Sequence, residues 1–280
     1  MISFFMAHYT LFLVMYGASL FGITAGVLGC FALLRQQSLL GDAISHAALP
    51  GIVAMFLLTH SKEPWLLLIG GVVAGIGGVW CMNIVVAHTK LKKDAILGII
   101  LSVFFGLGLV LMTVAQKIPV GSQAVLNKFL FGSVATLLPV DIVIIQAISL
   151  FIFLVLFLLW KECCAYVYDP LFIQSVGYSA CVIECVLTGL LVLTIVVGLQ
   201  AVGVVLMSTL LIAPAAAARQ WTVRLSSMMI LAGFFGCISC VAGVYVSACV
   251  DHIPTGPSIV IIATMIVLFS LLFSPVRRIV

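Results

Sequence analysis

Charged residues are scarce in this chain of 280 residues. Lysine and arginine number 12 and aspartate and glutamate number 8, so only 7% of the sequence is charged, whereas a soluble globular protein carries about 25%. Hydrophobic residues make up 65% of the sequence, and the mean hydropathy is +1.40. So few charges cannot cover a surface in water, which excludes a soluble globular protein and a disordered chain. The composition predicts an integral membrane protein.

Sequence signatures of catalysis are absent as well. The chain contains no G-x-x-x-x-G-K-[ST] loop for ATP phosphates, no H-E-x-x-H zinc motif and no G-x-S-x-G nucleophile motif. The nine cysteines lie in apolar stretches, where a thiol packs as a small hydrophobic side chain. We therefore expect no enzyme and no tightly bound cofactor. If transport through this chain uses ATP, a separate subunit must bind the nucleotide.

The apolar runs are continuous over about 20 residues, which predicts transmembrane helices rather than the alternating strands of a barrel. The first ten residues lack a basic region, so we expect a resident first helix rather than a cleaved signal peptide. The predicted fold class is all-α, a polytopic integral membrane helical bundle of about eight to nine transmembrane helices in a single domain over residues 1–280. The nine spans, of which the seventh is the shortest, are 11–34, 39–59, 65–87, 95–116, 139–160, 180–198, 202–218, 228–250 and 258–275.

The basic residues predict the orientation of these spans. An N-terminus outside and a C-terminus in the cytoplasm place nine basic residues inside and three outside, as the positive-inside rule requires. The inner set is Arg35, Lys90, Lys92, Lys93, Lys161, Arg219, Arg224, Arg277 and Arg278, and the outer set is Lys62, Lys117 and Lys128.

Asp42 and His46 stand out because they lie inside the second predicted span. Their i, i+4 spacing places them on one helix face, one turn apart, and a charge near the bilayer centre costs about 2.5–3.5 kcal/mol. Pro50 lacks the N–H that would bond the carbonyl of His46. A carboxylate with an imidazole suits Mn²⁺, Fe²⁺ or Zn²⁺ better than Mg²⁺ or Ca²⁺. The alternatives are an Asp–His pair that satisfies itself between helices and a proton relay.

Other polar segments allow two interpretations each. Glu184 either reaches the cytoplasmic interface or joins the pore, and Asp251-His252 either belongs to a turn or collects cations at the outer mouth. The apolar segment 125–133 is either re-entrant or packed against helices. The alanine run after Pro214, followed by Arg219 and Arg224, predicts either a short helix on the membrane surface facing a cytoplasmic partner or a positively flanked helix end.

In combination and order, several stretches resemble the membrane permease of ATP-binding-cassette importers for manganese, zinc or iron. Two are the most specific, RQQSLLGDAISHAALPG at 35–51 and QAVGVVLMSTLLIAPAAAAR at 200–219. The others are KKDAILG (92–98), FGSVATLLPVD (131–141), YDPLFIQSVG (168–177) and PTGPSIV (254–260). The resemblance covers nearly the whole chain.

This resemblance implies a type II ABC importer-like permease in the bacterial plasma (inner) membrane. It places the family's metal-contacting Asp and His on Asp42 and His46, and a coupling helix for the ATPase after Pro214, at Arg219 and Arg224. The implied partners are two copies of a cytoplasmic ATP-binding subunit, a second permease subunit, an extracytoplasmic metal-binding protein and membrane lipid, with no nucleic acid. The cargo is a divalent metal ion. The alternative function is an ion- or proton-coupled secondary transporter without an ATPase.

Overall fold

The computed structural model describes residues 2–61, 63–117, 139–250 and 254–274, and every regular element in these ranges is an α-helix. The all-α prediction is confirmed. Side chains of residues 2–10, 201 and 205 are not described. The helices are α1 (Ile2–Leu34), α2 (Leu40–Thr59), α3 (Pro64–His88), α4 (Lys93–Ala115), α5 (Pro139–Leu158), α6 (Trp160–Tyr168), α7 (Pro170–Ser175), α8 (Ala180–Val202), α9 (Val204–Arg219), α10 (Leu225–Cys249) and α11 (Thr255–Phe273).

Within the described ranges, eight helices are long and apolar enough to cross a membrane: α1 to α5, α8, α10 and α11. They correspond to eight of the nine predicted spans. The seventh predicted span, 202–218, is the 16-residue helix α9. At 1.5 Å per residue α9 is about 24 Å long, short of the roughly 30 Å hydrocarbon core. The helix is short because Gly203, with φ 87°, separates it from α8.

Some predictions fall outside the described residues. These concern Lys62, Lys128, the apolar segment 125–133, the pair Asp251-His252, and Arg277 and Arg278.

One compact unit comprises Met1–Gln36, Ser133–Thr194 and Thr209–Val280. Its helices α1 and α10 approach closely because small residues meet where they cross. A methyl group on Gly26 would lie 2.6 Å from the carbonyl oxygen of Ala232, and one on Gly22 would lie 2.5 Å from that of Gly236. This spacing is the small-residue packing that membrane helices use, since lipid supplies no hydrophobic force between them. Helix α11 also packs against α10, where Gly243 meets Ile259.

The second compact unit comprises Gln37–Gly132 and Ile195–Ser208. Here α2 packs against both α3 and α4. Gly51 of α2 and Gly70 of α3 face each other, so neither position has room for a side chain. On the α4 side, a methyl group on Gly108 would lie 3.3 Å from the ring of Pro50. The helix that carries Asp42 and His46 is therefore held on two sides by glycine contacts.

Candidate functional site: a metal-binding face on α2 and a connector surface

Asp42 and His46 lie one turn apart on α2, as their spacing predicts. Both side chains are half-buried, whereas the four residues Ala43, Ile44, Ser45 and Ala47 around them are buried. The helix runs without interruption from Leu40 to Thr59, with Pro50 inside it. Since proline has no N–H, the carbonyl of His46 lacks its usual helical donor. The more open face of α2 thus carries a carboxylate, an imidazole and a carbonyl with spare accepting capacity.

The ring of His46 is positioned by Phe105 of α4. The two ring centroids are 4.7 Å apart with an angle of 75° between the planes, an edge-to-face contact. Nδ1 of His46 is buried and has no hydrogen-bond partner among the described residues. An unsatisfied buried polar atom costs about 1–3 kcal/mol. A bond from this nitrogen to a metal ion would offset that cost.

No cluster of three or more histidine, cysteine, aspartate or glutamate side chains converges anywhere in the described ranges. Among the described residues, the face on α2 therefore provides two side-chain ligands for a metal ion, Asp42 and His46. A nitrogen and a carboxylate are ligands that Mn²⁺, Fe²⁺ and Zn²⁺ accept. Such a small ligand set suits a site that an ion must leave again, because conduction requires binding that is favourable but weak enough for release.

Glu184 makes an ion pair that the sequence did not predict. Nη2 of Arg35, at the end of α1, donates to Oε1 of Glu184 on α8 over 2.6 Å. Nη1 of Arg35 also lies 3.4 Å from the hydroxyl of Thr188. The guanidinium stacks over the ring of Tyr166 with 5.4 Å to the centroid. Glu184 thus forms an ion pair between helices of the first unit. Neither interpretation from the sequence, a side chain at the cytoplasmic interface or a residue of the pore, included this pair.

A signal for this pair was nevertheless present in the sequence. Arg35 and Glu184 both lie near ends of predicted spans on the same predicted side of the membrane. A buried charge needs a partner, so two opposite charges at matching depth were candidates for a pair. The separation of 149 residues left no local spacing rule that would connect them.

The alanine run after Pro214 does not form a separate surface helix. Pro214 lies inside α9, and Ala215, Ala217 and Ala218 are fully buried. Of the two interpretations of this segment, the surface helix was wrong, because a run of small side chains also allows close packing between membrane helices. The alternative, a positively flanked helix end, describes the structure. Arg219 ends α9 and Arg224 immediately precedes α10, and both are exposed.

Two connections between helices meet near these arginines. The backbone N–H of Leu225 donates to the hydroxyl of Tyr168 over 3.2 Å, which joins the start of α10 to the α6–α7 corner. Asp169 caps the N-terminus of helix α7, and its carboxylate accepts from the N–H groups of Leu171 and Phe172. The apolar side chains of Leu171 and Phe172 are exposed. We call residues 168–178 and 219–224 the connector surface, which combines exposed apolar groups with Arg219 and Arg224.

Comparisons with known proteins agree on one class. A family model described as the ABC 3 transport family matches residues 7–274. The zinc transport system membrane protein TroC of Treponema pallidum is 46% identical over 97% of this chain and 91% of that protein. The manganese transport system membrane protein MntC of Bacillus subtilis is 42% identical over 94% of this chain, which spans 61% of that relative.

Solved structures show the same fold. A chain in the structure described as PsaBC from Streptococcus pneumoniae in complex with Fab superposes with a TM-score of 0.84. It is 32% identical in sequence, and the match covers 95% of this chain and 92% of that one.

Proposed function

The chain belongs to the ABC 3 transport family, and on this basis we propose that it forms the pathway of an ATP-driven importer for Mn²⁺, Zn²⁺ or Fe²⁺. It is a multi-pass bacterial membrane permease and not an enzyme. The observation that carries the metal-transport proposal is the face of α2 with Asp42, His46 and the unpaired Nδ1 of His46. The relatives named for zinc and manganese transport support this class of cargo.

The proposed assembly is that of the importer permeases which this chain resembles. Two copies of a cytoplasmic ATP-binding subunit supply the energy, and they bind the nucleotide because the phosphate-binding loop is not in this sequence. A second permease subunit completes the pathway, and an extracytoplasmic metal-binding protein delivers the ion. Residues 1–280 act as one permease domain with the N-terminus outside and the C-terminus in the cytoplasm, which the distribution of basic residues supports.

Transport by this assembly proceeds by alternating access. Approach of the two ATP-binding subunits tilts the permease subunits and opens the pathway to the outside. The ion then exchanges part of its hydration shell for the carboxylate of Asp42 and the imidazole of His46. It leaves toward the cytoplasm when the pathway opens on that side. Two side-chain ligands from the chain hold the ion weakly enough for this release.

The test is metal uptake by proteoliposomes that contain the complete transporter. We expect Asp42→Asn and His46→Ala each to reduce uptake of radioactive Mn²⁺ or Zn²⁺ by about tenfold or more, in line with the loss of a metal-site residue. The ATP-binding subunit docks at Arg219 and Arg224 of the connector surface in this proposal, so both variants should still co-purify with it. Matched controls are Asp94→Asn and His88→Ala, which change an exposed residue of the same type outside α2.

Two outcomes would contradict the proposal. Normal uptake by both α2 variants would remove the metal site from Asp42 and His46. Uptake driven by a proton gradient in vesicles that contain this chain without an ATP-binding subunit would instead favour a secondary transporter.

A further inference from the structure

Two cysteines at the start of α8 form a pair of thiols that has no role in the proposed transport site. Cys181 and Cys185 are both exposed and lie one turn apart on this helix. The two thiols are in contact, since the side chain of Cys185 lies within hydrogen-bonding reach of that of Cys181. Six of the other seven cysteines are buried or half-buried, as expected for thiols that pack as small hydrophobic groups. Packing does not account in the same way for an exposed pair.

The pair lies close to a membrane surface. Cys181 and Cys185 belong to the first two turns of α8, which is one of the helices able to cross a membrane. Glu184 lies between them in the chain and forms the ion pair with Arg35, and charged groups of this kind lie near the ends of spans rather than at their centres. Residues 174–179, immediately before α8, are all exposed. Water and dissolved ions can therefore reach the two thiols.

The geometry of the pair suits one tetrahedral metal ion. Side chains at i and i+4 of a helix have Cβ atoms about 5–6 Å apart and point in the same direction. Two sulfur ligands of a tetrahedral Zn²⁺ are about 3.8 Å apart, because each Zn–S bond is about 2.3 Å long. Two thiols that already touch can adopt this separation without a change in the backbone. Each thiol releases its proton to water as its bond to the metal forms.

Sulfur ligands also determine which metal such a pair binds. Thiolates favour Zn²⁺, whereas Mn²⁺ prefers carboxylate, carbonyl and water oxygens. Glu184 adds no third ligand, because Oε1 of its carboxylate accepts from Arg35 and the described ranges contain no cluster of three ligating side chains. Water therefore occupies the remaining positions around the ion, which keeps the bound Zn²⁺ exchangeable.

We propose that Cys181 and Cys185 form a second metal site, which binds one Zn²⁺ through two thiolates where α8 meets the membrane surface and which does not bind Mn²⁺. In the orientation that the basic residues predict, this surface is cytoplasmic, where cysteines stay reduced. The chain thus carries a zinc-selective group on the side to which an importer releases its ions. The site is separate from the face on α2, since Asp42 and His46 supply no sulfur.

Titration of the full chain with Cd²⁺ tests this site, because Cd²⁺ binds thiolates as Zn²⁺ does and gives an ultraviolet charge-transfer band when it bonds to sulfur. The protein is kept in a phosphine reductant, which prevents disulfide formation. The test variant is Cys181→Ser/Cys185→Ser. The matched control Cys185→Ser/Val186→Cys keeps two thiols but moves the second to i+5, on a different helix face. A second control, Cys249→Ser, removes the third exposed thiol.

We expect one equivalent of Cd²⁺ to saturate the band in the wild type and in Cys249→Ser, and we expect the other two variants to lose it. Equilibrium dialysis should show one Zn²⁺ more per chain in the wild type than in Cys181→Ser/Cys185→Ser, and equal Mn²⁺ in both. The face on α2 gives no sulfur band, so this result does not depend on the transport proposal. A band that persists in the double-serine variant or in the i+5 control, or a loss of bound Mn²⁺ equal to that of Zn²⁺, would overturn the proposal.

Discussion

At the scale of single residues, Arg35 is a buried cation whose charge needs compensation. Its side chain is only 7% exposed, whereas that of Glu184 is 38% exposed. The cation is compensated by the carboxylate at 2.6 Å, the hydroxyl of Thr188 and the ring of Tyr166. Burial raises the pKa of Tyr166, so this ring stays neutral beneath the guanidinium. The pair joins α1 to α8, and it does so one residue before Gln36, where the backbone adopts φ 56°.

Removing the carboxylate should therefore destabilise the protein more than replacing both partners. Glu184→Gln leaves a buried cation without its counter-charge, which costs about 3–5 kcal/mol for a fully buried pair and less here because Glu184 is partly exposed. Arg35→Met/Glu184→Met should recover part of this loss, since no charge remains. Thermal unfolding of the wild type, Arg35→Met, Glu184→Met and the double variant forms a double-mutant cycle that measures the coupling between the two charges. Additive effects would show that the two charges do not stabilise each other.

At the scale of helices, the position of α2 depends on glycines, which have no side chain, where it crosses α3. Gly51 and Gly70 bring the backbones of α2 and α3 together, and a methyl group on Gly70 would lie 2.5 Å from the carbonyl oxygen of Gly51. A real Cβ does not approach a backbone oxygen this closely, so any larger residue must push the helices apart. The same helix carries the proposed metal-binding face, so displacement of α2 also displaces Asp42 and His46.

Gly51→Ala should lower both the thermal stability and metal uptake. Overpacking costs about 1–3 kcal/mol, which corresponds to a decrease of roughly 2–5 °C in Tm for a chain of this size. Gly77→Ala on α3 is the matched control, since a methyl group at that position would meet nothing within 4 Å and alanine favours a helix over glycine. Equal melting temperatures for the two variants would contradict the close approach of α2 and α3.

Features of the helices that depend on local sequence signals were predictable, and features that depend on contacts between distant residues were not. Predicted spans 39–59 and 65–87 match α2 and α3 to within one residue, because Pro64 at a helix start and long apolar runs are local signals. The placement of Asp42 and His46 on one face follows from periodicity alone. Three other features depend on neighbours that are distant in the chain, which no local pattern specifies. They are the burial of the alanine run of α9, the contact of Phe105 with His46 and the hydrogen bond from Leu225 to Tyr168.

At the scale of the whole molecule, coupling to an ATPase requires a surface that transmits force to the transmembrane helices. The connector surface meets this requirement within the first unit. Tyr168 links it to the start of α10, and the bond from Ser274 to Gln220 links it to the end of α11. Its exposed apolar groups, such as Leu171, which is 76% exposed, would be stabilised by burial against another protein surface. We therefore extend the proposed docking site from Arg219 and Arg224 to include α7.

Loss of the two arginines should weaken docking of the ATP-binding subunit and so lower metal-stimulated ATP hydrolysis. In proteoliposomes with the complete transporter, we expect Arg219→Gln/Arg224→Gln to reduce metal-stimulated ATP hydrolysis by about fivefold or more, because charged contacts at an interface can contribute more than about 1 kcal/mol each. Phe172→Ser should act in the same direction by removing an apolar contact. The charge-matched control Lys90→Gln/Lys92→Gln alters exposed lysines of the α3–α4 connection. An equal loss in that control would show that the effect comes only from the change in net charge. Unchanged hydrolysis in the arginine variant would exclude the connector surface as the coupling site.

The same experiment also tests the orientation of the chain. An ATP-binding subunit reaches the permease only from the cytoplasm, so a selective loss requires Arg219 and Arg224 to lie on that side. This is the orientation that the basic residues predict.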